Sequence, residues 1–470
     1  MAIVYTKTDQ GLTVATGTGA PVHTAVAGDR YTDTANGNTY QYTTIWNLMP
    51  FSGGLTYFTE AQSTTAPNAT VLVDSLTAVT ATTNGDIAIV PKGAGAFALA
   101  VADSLVAGGN KRGANAVDLQ TIRSVNSQVA GGARSFTAGS YNTASADDSV
   151  AIGRGSVASA YYSVAIGLQT YATGSYATAF GFSNNSSGNQ SLTSGYGNVA
   201  SGGSSVALGS SNTASGGSSV ALGSSNTASN TGTVAMGISC TASNANTIAM
   251  GNRAKATGDS SICLASYFYA DSTASGANSI VIGYGTASAN RSMALGFSAL
   301  VANASSTAIG DYSNTFSTIG RIALSGGSLG NAGDNQKGVV SYRQRTTDAT
   351  PTILTTNNAT TFGDNAGSQL ALQNQQVMRF KGSITAKKSG TTDIAVWDID
   401  GVIVRGANIA STVLTVSNVN VVTNIPLWVT PILAANLSTS VGGLMITVTG
   451  VVATNIQWFA VLDTVENIYA

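Results

Sequence analysis

The stretch GGSSVALGSSNTAS, residues 202–215, is followed at once by an identical copy, residues 216–229. Neither copy contains a charged, aromatic, proline, cysteine or histidine residue. The segment therefore lacks nearly all the groups that catalyse reactions or bind metals. Its repetition is the feature from which a fold can be predicted.

The repeat extends well beyond these two copies. Pentads such as SVAIG, SVALG and TIAMG end at positions that advance by 14 residues from Gly139 to Ala265. The series continues to Ser325 with steps of 18, 13, 14 and 15. Between successive pentads lies a second segment centred on alanine, such as NTAS or KATG. Each unit therefore contains two short segments.

The composition of the unit excludes a helix and favours strands. Gly, Ser, Thr and Asn are poor helix formers or compete with the helix backbone. The pentad alternates small residues with Val and Ile, Leu or Met, which is the period of a strand. Because one unit cannot bury its own apolar residues, we expect successive units to stack as parallel coils. At ~4.8 Å per coil, about 14 coils would form a column of roughly 65 Å.

The alternation also predicts two faces. We expect Val206 and Leu208 to fill a thin core, and the small Ser205, Ala207 and Gly209 to allow another backbone to approach closely. Residues 155–252 contain no Asp, Glu, Lys or Arg, so a lone column would expose an uncharged, adhesive surface. We therefore predict self-association, with a homotrimer as the expected state.

In its pentads, alanine-centred segments and period, the block of residues 126–325 resembles the head repeats of trimeric autotransporter adhesins. The resemblance implies a left-handed parallel β-roll, a solenoid, within a homotrimer. The departures are local. Cys263 and Ala265 replace the usual small residue and glycine, and the step of 18 predicts an inserted loop near Tyr267–Ser275.

The N-terminal flank resembles bacteriophage tail proteins. Residues 28–46, GDRYTDTANGNTYQYTTIW, form a module of the GD-x-Y-x-D type, with two aromatic segments around Asn36-Gly37 that predict a β-hairpin. Residues 84–120 contain phrases, PKGAGA and GGNKRGANAVDLQ, that resemble tail-fibre sequence preceding such repeats. The whole chain thus resembles a phage tail fibre.

The period stops at about residue 326, and the composition changes. Three of the four tryptophans, Trp397, Trp428 and Trp458, lie in this part, together with longer strand-like runs such as DIAVWDIDGVIVR. We predict a compact antiparallel β-domain, a sandwich or jelly-roll, which resembles the C-terminal domains of many phage fibres.

These observations predict an all-β chain in four parts: an N-terminal attachment module (1–54), a β-rich connector (55–125), the β-roll shaft (126–325) and a C-terminal domain that is the candidate receptor-binding tip (326–470). The implied function is that of a structural virion protein that docks to the tail or baseplate and adheres to a host surface receptor, with a polysaccharide as the candidate receptor. A bacterial trimeric surface adhesin and a polysaccharide-degrading tail spike are the alternatives. An ice-binding solenoid is disfavoured because the threonines form no uniform row.

Composition excludes several other classes. The formal net charge is −1, which predicts no basic patch for nucleic acid and no cationic face for anionic lipid. The N-terminal segment lacks the basic region and apolar core of a secretory signal, and no run reaches ~18 apolar residues. We therefore expect synthesis in a host cytoplasm, a location on the virion and no membrane insertion.

Few residues could carry catalytic or metal chemistry, and no catalytic, cofactor or metal site is predicted. The only histidine, His23, is a weak metal candidate, although a trimer would bring three copies together. The G-x-G sequences in TGTGA (16–20) and KGAGA (92–96) lack the flanking strand and helix of a phosphate-binding loop. Cys240 and Cys263 occupy different phases of the repeat, so we expect free thiols.

Two further groups of residues allow more than one interpretation. Asp398 and Asp400 lie two apart on one strand face, where paired carboxylates could cleave a glycosidic bond or simply face solvent. Aromatic residues cluster in the early coils, where they could stack on sugars or pack along the exterior; they are Tyr161, Tyr162, Tyr171, Tyr176, Phe180 and Phe182. Packing is the favoured interpretation for these aromatics, and a core position for the three C-terminal tryptophans.

Overall fold

The computed structural model describes residues 91–470 except 266–269, 317, 359–367, 426, 438–441 and 470, together with the backbone of seven strands between residues 4 and 78. The chain divides into two units, Met1–Val90 and Pro91–Ala470. The chain is all-β. Its described residues contain one helical turn, the 3-10 helix Ile409–Ser411.

The first unit contains a five-stranded sheet in sequential order and a separate antiparallel pair. The strands are β1 (Val4–Lys7), β2 (Thr13–Gly17), β3 (Arg30–Asp33), β4 (Thr39–Tyr42), β5 (Trp46–Leu48), β6 (Phe58–Ser63) and β7 (Val73–Ala78). Strands β3 and β4 pair antiparallel with Tyr31 opposite Tyr40. The antiparallel pairing of the predicted hairpin is therefore confirmed, and its predicted turn at Asn36-Gly37 lies outside the described residues.

The second unit begins with the solenoid. Two strands precede the regular coils, β8 (Phe97–Ala98) and β9 (Val117–Ile122). The regular pentad strands are β10 (Phe136–Ser140), β12 (Val150–Arg154), β14 (Val164–Leu168), β16 (Thr178–Phe182), β18 (Leu192–Tyr196), β20 (Val206–Ser210), β22 (Val220–Ser224), β24 (Val234–Ile238), β26 (Ile248–Asn252) and β28 (Ile262–Ala265). The alternate strands are β11 (Thr143–Ala144), β13 (Val157–Ala158), β15 (Tyr171–Ala172), β17 (Asn185–Ser186), β19 (Val199–Ala200), β21 (Thr213–Ala214), β23 (Thr227–Ala228), β25 (Thr241–Ala242), β27 (Ala254–Ala256) and β29 (Ser272–Ala274).

Successive coils pair in parallel with a register of one repeat, so that Val206 lies opposite Val220 and Thr213 opposite Thr227. The final coils are β30 (Ile280–Ala287), β31 (Met293–Val301), β32 (Thr307–Asp311) and β33 (Ile322–Gly326). The extra residues of the 18-residue step lie between β28 and β29, as predicted; part of that loop, residues 266–269, lies outside the described residues. The predicted stack of parallel 14-residue coils is confirmed.

The predicted facing of the pentad is wrong. Ser205 and Ala207 are fully buried inside the coil, whereas Val206 and Leu208 point outward and are partly exposed. The reason is the width of the coil. Tight turns with left-handed residues at Ser204 and Ser211 close each circuit after 14 residues, which leaves a narrow interior that the pentads fill mainly with Ala, Ser and Thr.

The pentad glycine is required by contact with the next coil. Gly209 has a φ of +116°, and a Cβ there would lie 2.1 Å from the carbonyl oxygen of Gly223. The close approach that the small residues permit is therefore made within one chain, between successive coils.

The C-terminal domain continues the solenoid sheet. Its main strands are β34 (Asn335–Thr346), β37 (Gln376–Lys388), β38 (Ile394–Arg405), β39 (Val413–Ile425) and β42 (Ile456–Ile468). A smaller sheet contains β35 (Pro351–Ile353), β36 (Leu370–Ala371), β40 (Ile432–Asn436) and β41 (Gly443–Thr449). The last coil, β33, pairs antiparallel with β34, and the order then runs β34-β42-β37-β38-β39.

The two C-terminal sheets enclose a common apolar core. Trp397 and Trp458 stack with ring centroids 5.8 Å apart, and Trp428 packs against Trp458 at 6.2 Å. The core includes Leu444 and Ile446 of the smaller sheet. The domain is therefore an antiparallel sandwich, and the tryptophans occupy its core as expected.

Candidate functional site

An outward row of apolar side chains follows the pentads along the solenoid. In each regular coil the second and fourth pentad residues, such as Val206 and Leu208, are partly exposed. Parallel pairing places Val220 and Leu222 directly beside them, at ~4.8 Å per coil. Thr178 and Ser194 interrupt this row in two coils. We call its apolar members the apolar stripe; they include Val150, Ile152, Val164, Ile166, Phe180, Leu192, Val206, Leu208, Val220, Leu222, Val234, Met236, Ile248, Met250, Ile262, Leu264, Ile280 and Ile282.

The apolar stripe crosses residues 155–252, which carry no charge. Some of its members are well exposed, with Met250 at 38% and Ile282 at 47%. Monomeric soluble proteins rarely expose long contiguous apolar surfaces. Since the side chains stand in register from coil to coil, the stripe has the form of an interface that another rigid rod could cover.

A ladder of buried asparagines makes the coils rigid. Asn184, Asn198, Asn212 and Asn226 stack inside the solenoid, and each Nδ2 of the last three donates to the Oδ1 of the preceding one at 3.0–3.1 Å. The Nδ2 of Asn212 also donates to the carbonyl oxygens of Leu208 and Gly223, both at 2.8 Å. The ladder therefore connects three successive coils at every rung. Sequence reasoning missed it, although the repeated asparagine of NTAS was the available signal.

The N-terminal end of the solenoid is closed by a buried ionic cluster. Asp118 occupies the interior position of the alanines in later coils, and its Oδ2 accepts from Arg112 Nε at 2.7 Å and Arg123 Nη2 at 2.9 Å. Gln120 Oε1 accepts the backbone N–H of Asn142 at 3.0 Å, which supplies the contact an asparagine would make in a preceding coil. The segment GGNKRGANAVDLQ, residues 108–120, thus caps the N-terminal end of the solenoid.

The C-terminal end has a second buried cluster. Arg321 donates to Glu466, one of the two glutamates of the chain. The other carboxylate oxygen of Glu466 accepts from Gln336 and Gln376, both at 3.1 Å. Gln336 in turn exchanges hydrogen bonds with the backbone of Asn314 in the last coils. These contacts fix the C-terminal domain to the solenoid, consistent with a stiff connection.

The candidate carboxylates lie on the outward face of the C-terminal sheet. Asp398 is exposed and accepts from Ser383 Oγ at 2.7 Å. Asp400 accepts from Asn418 Nδ2 at 3.3 Å and lies opposite Lys381. This arrangement is that of cross-strand polar pairs on a solvated sheet face.

The early aromatic residues all lie on the exterior of the solenoid. Tyr161, Tyr162 and Tyr176 form one group, in which Tyr162 and Tyr176 stack with centroids 5.3 Å apart. Phe182 and Tyr196 form a second pair at 5.2 Å. Phe180 occupies a position of the apolar stripe, and Tyr171 stands separately. The aromatic residues that are clustered in the sequence therefore form separate groups on the exterior of the solenoid.

The remaining candidates carry little chemistry. Cys240 and Cys263 are free and buried, and burial raises the pKa of Cys240 and raises that of Cys263 to about 11. Cys240 replaces an asparagine of the ladder, with its backbone N–H donated to Asn226 Oδ1. His23 lies outside the described residues. The KGAGA segment is a turn followed by strand β8, without the helix of a phosphate-binding loop.

Two other kinds of site are absent from the described residues. No group of three or more His, Cys, Asp and Glu residues there could hold a metal ion. No helix in the described part of the chain is long and apolar enough to cross a membrane.

Comparison with protein families gives one match. Six segments of the solenoid are similar to the YadA head domain repeat: residues 144–170, 172–192, 214–238, 242–262, 270–286 and 287–313. No curated protein matches the chain. The chain therefore contains YadA-type head repeats in a β-solenoid, as is typical of trimeric adhesin-like proteins.

Proposed function

We propose that the protein is a homotrimeric adhesive fibre in which the solenoid is a stiff spacer and the C-terminal domain recognises a cell surface. The observation that carries the proposal is the apolar stripe, which is in register over many uncharged coils. Three copies that covered this stripe with one another would remove it from water, which is the main source of free energy in association. The match to YadA head repeats supports the same assembly, because such head domains usually form homotrimers.

The stripe gives a direct test of assembly. Val206→Asp combined with Val220→Asp places two charges on the stripe of each chain, so we expect loss of the trimer. Ser215→Asp combined with Ser229→Asp adds the same charge at exposed positions off the stripe and should leave the trimer intact. Sedimentation equilibrium of the two variants decides the matter. Equal masses for both would contradict the proposed interface.

For the biological setting, we favour a phage tail fibre, in which residues 1–125 dock to the tail or baseplate and the trimer binds a host receptor. The support is the resemblance of residues 28–46 and 84–120 to tail-fibre sequence. A bacterial trimeric surface adhesin is a comparable candidate, because the matched repeat belongs to that class. Antibody detection in purified virions would support the first, and detection on the outer surface of intact bacteria would support the second.

The recognition role has its own test. Three copies of a weak site on one fibre would bind a cell surface by avidity. Fluorescently labelled full-length protein should therefore bind intact cells of a susceptible strain. Fab fragments against the C-terminal domain should block this binding, whereas Fab fragments against the solenoid should not. The reverse result would place recognition on the solenoid.

A further inference from the structure

The cations of the C-terminal domain are concentrated on two strands. Strand β34 carries three and strand β37 carries four of the 20 lysines and arginines of the chain, and neither strand carries a carboxylate; the cations are Lys337, Arg343, Arg345, Arg379, Lys381, Lys387 and Lys388. The segment 406–462, by contrast, has no charged residue. The overall net charge of −1 therefore conceals a local excess of positive charge.

Register places part of this charge in one patch on the outward face of the sandwich. Strand β42 lies between β34 and β37, with Arg343 opposite Phe459, and with Arg345 and Lys387 on either side of Gln457. All five side chains are exposed. Neighbouring strands are ~4.8 Å apart and alternate residues of one strand are ~7 Å apart, so the five lie within the span of a few sugar units. We call these residues the cationic patch.

The cationic patch differs from the opposite end of the same face. There, Lys337 pairs with Asp463 at 3.4 Å, and Lys381 lies between Asp463 and Asp400. Among the described residues, none of the ion pairs involves Arg343, Arg345 or Lys387.

The nearby carboxylates, Asp393 and Asp348, already have an ion-pair or hydrogen-bond partner. Asp393 pairs with Lys388 at 3.6 Å, and Asp348 accepts the backbone N–H of Thr350 at 2.8 Å. Within the part of the chain that the structure describes, the three cations of the patch therefore face solvent without a carboxylate in ion-pair distance.

An aromatic ring lies in the middle of this charge. Phe459 is 47% exposed, whereas its neighbours on the strand, Trp458 and Ala460, are buried in the core. An exposed apolar ring offers a flat surface for the C–H face of a sugar, and flanking guanidinium groups bind carboxylate or phosphate by paired hydrogen bonds. The exposed amide of Gln457 adds a donor and an acceptor for hydroxyl groups.

We propose that the cationic patch binds an acidic polysaccharide, whose sugars carry carboxylate or phosphate groups. The proposal rests on the proposed adhesive function and names the class of receptor. Nucleic acid fits less well, because Asp398, Asp400 and Asp463 share the same face and would repel a long uniform polyanion. A polysaccharide with spaced charges meets the cations and the ring without contacting that end.

The test uses full-length protein and two matched triple variants. Arg343→Gln, Arg345→Gln and Lys387→Gln together remove the charge of the patch. Lys337→Gln, Arg379→Gln and Lys381→Gln remove the same charge from the opposite end of the same face. A second pair compares Phe459→Ser with Val465→Ser, since both residues are exposed on β42. The probes are polysialic acid for carboxylate, phosphomannan for phosphate, neutral dextran and double-stranded DNA.

We expect the unmodified protein to bind polysialic acid or phosphomannan but not dextran, and to bind more weakly at high salt. The patch variant should bind about tenfold more weakly, as expected for the loss of three exposed ion pairs, and the opposite-end variant should bind within about twofold of the unmodified protein. Phe459→Ser should weaken binding, and Val465→Ser should not. Circular dichroism confirms that each variant is folded.

Three results would overturn the proposal: no binding of either acidic polysaccharide, equal weakening by both triple variants, or tighter binding of DNA than of both polysaccharides. Binding of the same proteins to cells distinguishes failure of the cationic patch from failure of the adhesive function. If the patch variant still binds cells as the unmodified protein does, the adhesive function stands and the patch is not its receptor site. If the unmodified protein binds no cells, the adhesive function itself fails.

Discussion

Inside the solenoid, a coil buries Ala207, Asn212 and Ala214, whereas the C-terminal domain buries Trp397 and Trp458. The two regions share one continuous sheet, because β33 pairs with β34. Their interiors are nevertheless stabilised by different interactions. The domain relies on the burial of large apolar side chains, and the solenoid relies on hydrogen bonds and close backbone contact while its larger apolar side chains remain outside. The domain contains its own core, whereas the apolar stripe of the solenoid is left uncovered within one chain.

The largest effect is expected from a cavity in the domain. Trp458→Ala should lower the free energy of unfolding of the domain by about 3–5 kcal/mol. Trp397 and Trp428 remain as fluorescent reporters of this domain, so denaturant unfolding followed by fluorescence measures the change. Phe459→Ala, one residue away on the exposed face, is the control and should change stability by less than about 0.5 kcal/mol. Similar losses for both would show that the domain is not held by its core.

The second effect breaks the close contact between coils. Gly209→Ala should cost about 2–4 kcal/mol, because the new Cβ meets a backbone carbonyl in a left-handed conformation. Gly203→Ala is a matched control in the same coil, where a Cβ meets nothing within 4 Å. Thermal unfolding followed by far-ultraviolet circular dichroism measures both. Equal stability of the two variants would refute the argument from coil spacing.

The third effect concerns the asparagine ladder. Asn212→Ala leaves Asn226 without its Oδ1 acceptor and frees two buried carbonyl groups, so we expect a loss of about 1–3 kcal/mol. Asn212→Ser should cost less, because Ser156 already fills this position and its Oγ bonds two carbonyl oxygens. If the Asn212→Ala variant were as stable as the unmodified protein, the asparagine ladder would not contribute to stability.

The smallest effect is a dependence on alkaline pH. Burial raises the pKa of Cys263 from 9.0 to about 11, so the unfolded chain loses this proton at lower pH than the folded chain does. The stabilisation is complete below the unfolded pKa and is lost as pH rises through the folded pKa. Cys263→Ala, which restores the alanine of other coils, should flatten the decline in stability between pH 9 and about 11. An unchanged slope would show that other groups cause it.

The features that sequence predicted are those set by local spacing. The 14-residue period predicted the stacking of Val206 on Val220, and the two aromatic segments around Asn36-Gly37 predicted the antiparallel pair in which Tyr31 meets Tyr40. Both depend on residues close together in the chain. The length and tryptophans of the C-terminal segment likewise sufficed to predict an antiparallel domain with an aromatic core.

The facing of the pentad could not be predicted from alternation alone. A period of two separates Val206 from Ala207 but does not say which side is enclosed. The enclosed side is decided by the width of a coil closed by two left-handed turns, because so narrow a coil is filled mostly by alanine, serine and threonine, although one coil encloses Val281. In the proposed trimer the outward apolar face is the one left for a partner copy.

The cationic patch was also beyond sequence reasoning. Arg343, Lys387 and Phe459 come from three strands that are far apart in the chain, and only the order β34-β42-β37 brings them together. The near-zero net charge suggested the opposite expectation, namely that no basic surface exists. The net charge is a sum over the whole chain, whereas the fold places cations and carboxylates at different ends of one face.

The central claim is that the apolar stripe is covered by two further copies of the chain. Sedimentation equilibrium of the unmodified full-length protein tests it most directly. We predict a single species with three times the chain mass of 47.1 kDa, without dissociation at micromolar concentration. A stable folded species with the mass of one chain would contradict the account, because the stripe would then be exposed to water along its whole length.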